Sequence, residues 1–392
     1  MYKMKSSPFI YGNTVSSHSF TNRKEETKKL YSNLVGGINT MIISPRRWGK
    51  SSLVEKVIGD IKQKNKGHKT VILDLFMVNS EEAFLEAFAR EIIKASSSKW
   101  EDWVLSGREL FKQLIPKISL GINPDIDFSL SFDWQELKNH GEEILNLPEI
   151  IAHKKNIKLI VCLDEFQNIA TYSGFIDFEK KMRAIWQRQK NVTYCLYGSK
   201  RHMMTDIFNN PSKPFYRFGD VMLLPKIETR DWIGFICNGF NKTAKYIDKK
   251  DAALIPEIMK NHPWYVQQLA HYTWNLTEKA ATTKEIQKAL TEVINANTPF
   301  YQNEIESISK TQLNLLKAVS RNETQFTSAA VMQKYKLGTP RNVSKNRLTL
   351  IKKDLINETN GKVTFLDPVL EIWFEKQFFK YSYNEKTQWT KQ

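Results

Sequence analysis

Cysteine is scarce in this chain: Cys162, Cys195 and Cys237 are the only three in 392 residues. An odd, unpaired set argues against a disulfide framework and against a zinc site. Cys162 and Cys195 also fall inside apolar runs, where a reduced thiol packs as a small hydrophobe. The seven histidines show no ligand spacing, such as two on one helical face, so no protein-built metal site is expected from them. No internal repeat and no low-complexity tract is found. No apolar run approaches the roughly 18 residues of a membrane span. The first 14 residues carry lysines but no continuous apolar stretch, so no secretory leader is expected, and the cytoplasm is the expected compartment. What remains is an ordinary globular composition, 41% hydrophobic and 26% charged. The length allows two or three domains with a sizeable core. The net charge of +16 suits an anionic partner, whether nucleotide, nucleic acid or acidic membrane surface; solubility alone is the plain alternative.

Strand-like and helix-like segments alternate over the first two-thirds, the mark of an α/β domain. Thr40-Met41-Ile42-Ile43 is a short apolar strand, followed by a loop and a helical stripe through Val54, Val57, Ile58 and Ile61. Residues 70–76, 159–163, 192–197 and 221–224 read as four more strands. The third, apolar throughout, suits a strand covered on both faces. Alternating apolar residues near 115–133 around Asn123-Pro124-Asp125 read as an inserted β-hairpin, with Trp100, Trp103, Leu110 and Phe111 on a covering helix. After Pro225 the pattern turns helical, and His262-Pro263 opens a helix with Val266, Leu269, Ala270 and Thr273 inward. From about residue 303 come three helices, the third opened by Thr339-Pro340 with Val343, Leu348 and Ile351 inward. A hairpin across Asn360-Gly361 follows, so this section reads as a winged helix. The expected division is a core at 1–228, a helical lid at 229–302 and the winged helix at 303–392.

Directly after the first strand stands Ser44-Pro45-Arg46-Arg47-Trp48-Gly49-Lys50-Ser51-Ser52. A phosphate loop needs inward backbone N–H groups, a lysine that reaches the β- and γ-phosphates, and a hydroxyl for magnesium. Residues 45–49 and Ser52 supply the loop, Lys50 the lysine and Ser51 the hydroxyl. Ser44 replaces the usual first glycine, and serine serves there if φ stays negative. Asp164-Glu165 ends the strand at 159–163, where Asp164 would hold the magnesium shell and Glu165 would activate water. The alternative is that the pair merely caps the next helix. Past the fourth strand, Gly198-Ser199 puts a hydroxyl where the γ-phosphate could be sensed. Arg217, before the fifth strand, is either an arginine finger or a plain surface residue.

Together these residues resemble the archaeal-type P-loop ATPases of the AAA/STAND group. The likeness runs through Phe20-Thr21-Asn22-Arg23-Lys24-Glu25-Glu26, Pro45 to Ser52, Leu163-Asp164-Glu165-Phe166-Gln167, Gly198-Ser199 and His262-Pro263. It continues in Thr339-Pro340-Arg341-Asn342-Val343-Ser344 and in Asp367-Pro368-Val369-Leu370 before Trp373. The resemblance implies a parallel sheet of order 5-1-4-3-2, a helical lid and a C-terminal winged helix. It also implies ATP or ADP with Mg2+, adenine near Phe20, Asn22 and Arg23, and a contact from the lid at His262 and Pro263.

Arg341, Lys345, Arg347 and Lys352 gather on the third helix of the winged section. On a recognition helix they would neutralise DNA phosphates; on a protein-docking module they are a solvated basic face. The leading expectation is an ATPase that couples nucleotide state to lid and winged-helix movement. The alternatives are a DNA-binding regulator, or a defence or signalling scaffold that self-associates or docks protein while holding nucleotide with little turnover.

Overall fold

The computed structural model describes residues 6–12, 23–96, 140–359 and 361–379. Phe20, Asn22 and the expected hairpin near 115–133, with its covering helix, lie outside them. The chain forms two compact units, Ser16–Pro225 and the combination of Met1–Val15 with Lys226–Gln392.

The unit Ser16–Pro225 runs α1 (Lys24–Val35), β1 (Thr40–Ile43), α2 (Lys50–Lys64), β2 (His68–Asp74), α3 (Glu81–Ser96) and α4 (Gly141–Lys155). Then come β3 (Lys158–Asp164), a 3₁₀ turn (Phe166–Thr171), α5 (Phe175–Trp186), β4 (Val192–Gly198), α6 (Arg201–Asn209) and β5 (Asp220–Leu223). The five strands are parallel in the order β2-β3-β4-β1-β5, which is 5-1-4-3-2 read from the other edge. The period of two along each strand divides the apolar side chains between two cores. Met41, Ile43, Val161, Leu163, Tyr194 and Leu196 face one way, into a core shared with α3 to α6. Ile42, Ile160, Cys162, Cys195 and Tyr197 face the other, against α1 and α2. The result is the three-layer α/β arrangement.

β2 begins and ends two residues earlier than residues 70–76 would have it. Asp74 closes it by accepting a hydrogen bond from the Phe76 N–H at 2.9 Å, a turn that frees Phe76 from the strand. As an edge strand β2 leaves Ile72 41% exposed. The central strands β1 and β4 are buried at every position. Because all five strands point the same way, the carboxyl ends of β1, β3 and β4 share one edge, where open α/β sheets bind ligands.

The second unit contains α7 (Thr229–Lys242), β6 (Tyr246–Ile247), α8 (Lys249–Ile258), α9 (Pro263–Leu276), β7 (Ala280–Ala281) and α10 (Thr283–Glu306). It continues with α11 (Lys310–Ser320), α12 (Ala329–Tyr335), α13 (Pro340–Lys352), β8 (Ile356–Thr359), β9 (Lys362–Phe365) and α14 (Pro368–Phe379). β8 and β9 pair antiparallel as the wing. Pro263 opens α9 just after the cap residue His262, the position where a missing N–H does no harm.

One sequence expectation changes here. Leu348 is 57% exposed, while Val343 and Leu350 carry the inner face of α13. Positions seven apart return to the same face of a helix, and 343 and 350 are that pair. The segments expected as helical lid and winged helix both fall within this compact unit. α10 runs unbroken for 24 residues across the expected boundary at 302/303. Its Tyr301 donates to Asp367 at 2.9 Å, and Tyr265 of α9 bonds the same buried carboxylate. Burial pushes the Asp367 carboxyl above its ordinary value, although both tyrosines and two backbone N–H groups pull it down.

The start of the chain groups with this second unit, where the sequence division 1–228 had placed it with the first. Phe9 is 2% exposed, with its ring 5.8 Å from Phe235 and 5.7 Å from Phe240. The Ile10 N–H donates to Gln267 Oε1 at 3.1 Å. Gly239 makes the seat possible, since a Cβ there would lie 2.6 Å from the Phe9 ring.

Candidate nucleotide-binding site

The phosphate loop leaves β1 at Ser44 and enters α2 at Lys50. Among the described residues Ser44 is not among those with positive φ, so serine serves at the first position without strain. The reversals fall later, at Arg47 with φ 63° and Gly49 with φ 84°. Gly49 caps α2 without a side chain, leaving the first-turn N–H groups directed at whatever sits before the helix. Lys50 and Ser52 are buried, while Arg46 and Arg47 are exposed.

Arg23, expected near adenine, also braces the loop. Its guanidinium is 3% exposed and donates to the Trp48 carbonyl at 3.1 Å and the Pro225 carbonyl at 3.0 Å. Glu26, at 3.3 Å, balances its charge. A planar fork of donors is what such a two-carbonyl clamp requires.

The loop and the acidic pair meet. Lys50 Nζ lies 2.9 Å from Glu165 Oε1 and 3.6 Å from Asp164 Oδ1. Ser51 Oγ donates to Asp164 Oδ2 at 2.8 Å. Asp164 is the last residue of β3, and Glu165 follows in the left-handed region at φ 50°. A non-glycine residue there is uncommon and is held by its surroundings. The Glu165 N–H donates back to Asp164 Oδ1 at 2.7 Å, and the bend turns the Glu165 side chain toward β4. There Ser199 Oγ donates to Glu165 Oε2 at 2.8 Å.

The two carboxyls respond differently to their surroundings. Burial dominates at Asp164 and holds its pKa above the ordinary value, against the pull of Lys50 and Ser51. Burial also pushes Glu165 upward, but the Lys50 charge and hydrogen bonds from Gln167, Lys50 and Ser199 outweigh it. Glu165 is therefore kept ionised.

Of the residues singled out by sequence, Lys50, Ser51, Asp164, Glu165 and Ser199 come together. Arg217 does not join them by any hydrogen bond or ion pair among the described residues. It is exposed, at φ 52°, with its guanidinium 5.2 Å from its neighbour Tyr216's ring. His262 and Pro263 belong to the second unit, where the His262 ring lies 4.8 Å from that of Tyr265. On α13, Arg341, Lys345 and Lys352 are exposed, while Arg347 pairs with Glu358 at 3.7 Å. Sequence reasoning missed Gln167. It stood inside the quoted Leu163 to Gln167 stretch, and nothing along the chain set it apart from its polar neighbours Asn168 and Thr171.

A sequence-family model described as a probable winged helix domain matches residues 299–376. No curated protein matches this chain. A Walker-type ATPase of Pyrococcus abyssi superposes with a TM-score of 0.64 at 16% identity, over 94% of this chain and 99% of that one. The fold is that of a Walker-type P-loop ATPase with a C-terminal winged helix. The ORC2 protein of Aeropyrum pernix, in ADPNP–ADP complexes, matches with a TM-score of 0.55 at 12% identity, over 96% of this chain and 97% of that one. Its ADP form gives 0.52 at the same identity and coverage. These likenesses agree with the expected archaeal-type ATPase resemblance in fold. No helix among the described residues is long and apolar enough to cross a membrane.

Proposed function

We propose that this chain is a magnesium-dependent ATPase. The observation that carries the reading is the convergence of Lys50 on Glu165 and of Ser51 on Asp164 at the carboxyl ends of β1 and β3. ATP is proposed to lie with its phosphates on the α2 N-terminus, cradled by the backbone of Pro45, Arg46, Arg47, Trp48 and Gly49 and by the first turn with Ser52. Lys50 neutralises charge on the transferring phosphoryl group. Ser51 Oγ and Asp164 Oδ2, 2.8 Å apart, offer two hard oxygen donors at one point, a set that suits Mg2+ completed by phosphate oxygens and water. Bound there, the ion supplies charge neutralisation at the β- and γ-phosphate oxygens. Glu165, held ionised, orients the attacking water and accepts its proton. Ser199 fixes the glutamate and stands near enough to report the γ-phosphate.

We assign the adenine end to Phe20, Asn22 and the segment held by Arg23. Arg217 is proposed as a finger acting in cis or on a second copy. Turnover is proposed to drive movement of the helical and winged-helix segments, with His262 and Pro263 responding to nucleotide state. The exposed bases of α13 support a second reading in which duplex DNA is the partner, its phosphates met by Arg341, Lys345 and Lys352. Arg347, already paired with Glu358, contributes less. A regulator or scaffold with little turnover is the remaining alternative.

The test is phosphate release from ATP with Mg2+, for wild type and Glu165→Gln, each with and without duplex DNA. The expected result is a loss of about 10²-fold or more in Glu165→Gln with nucleotide affinity retained. Equal turnover in the two proteins would remove Glu165 from the mechanism. Stimulation by DNA that fades with salt would favour the DNA reading.

A further inference from the structure

Glu165 is reached by more donors than a catalytic carboxylate needs. Lys50 meets Oε1, while Ser199 Oγ and the Ser199 N–H, the latter at 3.4 Å, meet Oε2. A third side chain also arrives at Oε2: Gln167 Nε2, at 2.5 Å. Gln167 sits in the first turn of the 3₁₀ segment after Glu165 and is 1% exposed.

The rest of the Gln167 amide is unusual. Its Oε1 is buried and has no hydrogen-bond partner among the described residues. A buried amide oxygen without a partner is unfavourable, and an apolar side chain of equal length would avoid the penalty. Glutamine at this position is therefore explained by its other end, the donor aimed at Glu165. The seat is also cut to fit that amide: a Cβ on Gly198 would lie 1.8 Å from Gln167 Oε1 and 2.8 Å from Met204 Sδ. Gly198 is not at positive φ, so room for its neighbour, and not backbone freedom, is what calls for glycine there. With the amide oxygen seated against Gly198, Nε2 is the end turned to Glu165 Oε2.

We propose that Gln167 is a positioning residue for Glu165. Its amide and the Ser199 hydroxyl clamp Oε2 from two sides, so that Oε1 alone faces Lys50 and the substrate. The clamp holds the carboxylate in place when Lys50 turns from it to phosphate. This rests on the ATPase reading for its kinetic consequence but not for its geometry.

The test compares wild type with Gln167→Met, of similar length and without the donor, and with Gln167→Asn, whose amide falls one methylene short. Nucleotide Kd is expected to stay within about threefold while kcat falls on the order of tenfold or more, the signature of lost positioning. In a crystal structure of Gln167→Met, the Glu165 carboxylate is expected to leave the Ser199 hydroxyl. Unchanged kcat, or a Glu165 carboxylate that keeps its place, would overturn the inference. So would kcat, Kd and Tm falling together in both variants, which would mark a purely structural residue. A wild type that binds ATP without turnover would sink the ATPase reading alone, since the carboxylate's position in the variant still decides the role of Gln167.

Discussion

Glu179 offers a quantitative test of how the core around the site is built. It lies on α5, fully buried, with neither carboxylate oxygen in a well-aligned hydrogen bond. Lys213, whose charge opposes burial at Glu179, is shared: it pairs with Asp206 at 3.6 Å and lies 5.3 Å from the Phe175 ring. Burial, helped by the Asp206 charge, therefore prevails over Lys213 and the Phe215 backbone and pushes the Glu179 carboxyl from 4.5 to about 7. At about 1.4 kcal/mol per pH unit, that displacement is worth on the order of 3 kcal/mol. The sign follows from proton binding. Between 4.5 and about 7 the folded state holds a proton that the unfolded chain has released. Stability contributed by this group is thus present below 4.5, falls as pH rises through that window, and is level above it. Glu179→Gln carries no such proton and should show none of this loss. Relative to wild type, the variant should gain on the order of 3 kcal/mol between about pH 5 and pH 8. Calorimetric melting of both proteins across that range reads it as a Tm gap that widens by roughly 5–10 °C toward alkaline pH. Any constant difference between amide and carboxyl cancels, because only the change with pH is used. A gap that stays level, or widens toward acid, would refute the reasoning.

Two further outcomes are expected. Gly198→Ala should displace the Gln167 amide, costing about 1–3 kcal/mol of stability and lowering ATP turnover while nucleotide affinity is kept, as measured by melting, phosphate release and equilibrium binding. Unaltered turnover would show that the 1.8 Å approach is relieved without moving Gln167 off Glu165. Phe9→Ala should cost about 3–5 kcal/mol in the second unit and open residues 6–12 to protease, seen by urea unfolding and limited digestion. A protease-resistant variant of wild-type stability would mean that Phe9 adds nothing to that core.

Much of the fold was legible along the chain because it is written in short-range patterns. A strand, a loop ending Gly49-Lys50-Ser51 and an amphipathic helix mark a P-loop fold through local backbone geometry. An apolar strand ending in Asp164-Glu165 carries its acids to the sheet's carboxyl edge, because a strand both of whose faces are covered must be apolar to its end. The wing and its helices were readable for the same reason, by period and turn residues.

What tertiary structure alone decided are the partners that lie far apart in sequence. Lys50 and Glu165 are 115 residues apart, and the order of the sheet brings them within 2.9 Å. Arg23 is 25 residues from Trp48 and 202 from Pro225, and only the fold brings its guanidinium to both carbonyls. Phe9 leaves the unit that follows it in sequence because Gly239, 230 positions away in numbering, opens a seat for its ring. Gln167 reaches Glu165 only because the absence of a side chain at Gly198 leaves room for its amide. Periodicity specifies which face of an element is apolar; which element covers that face, and which polar group is trapped beneath it, is settled by packing.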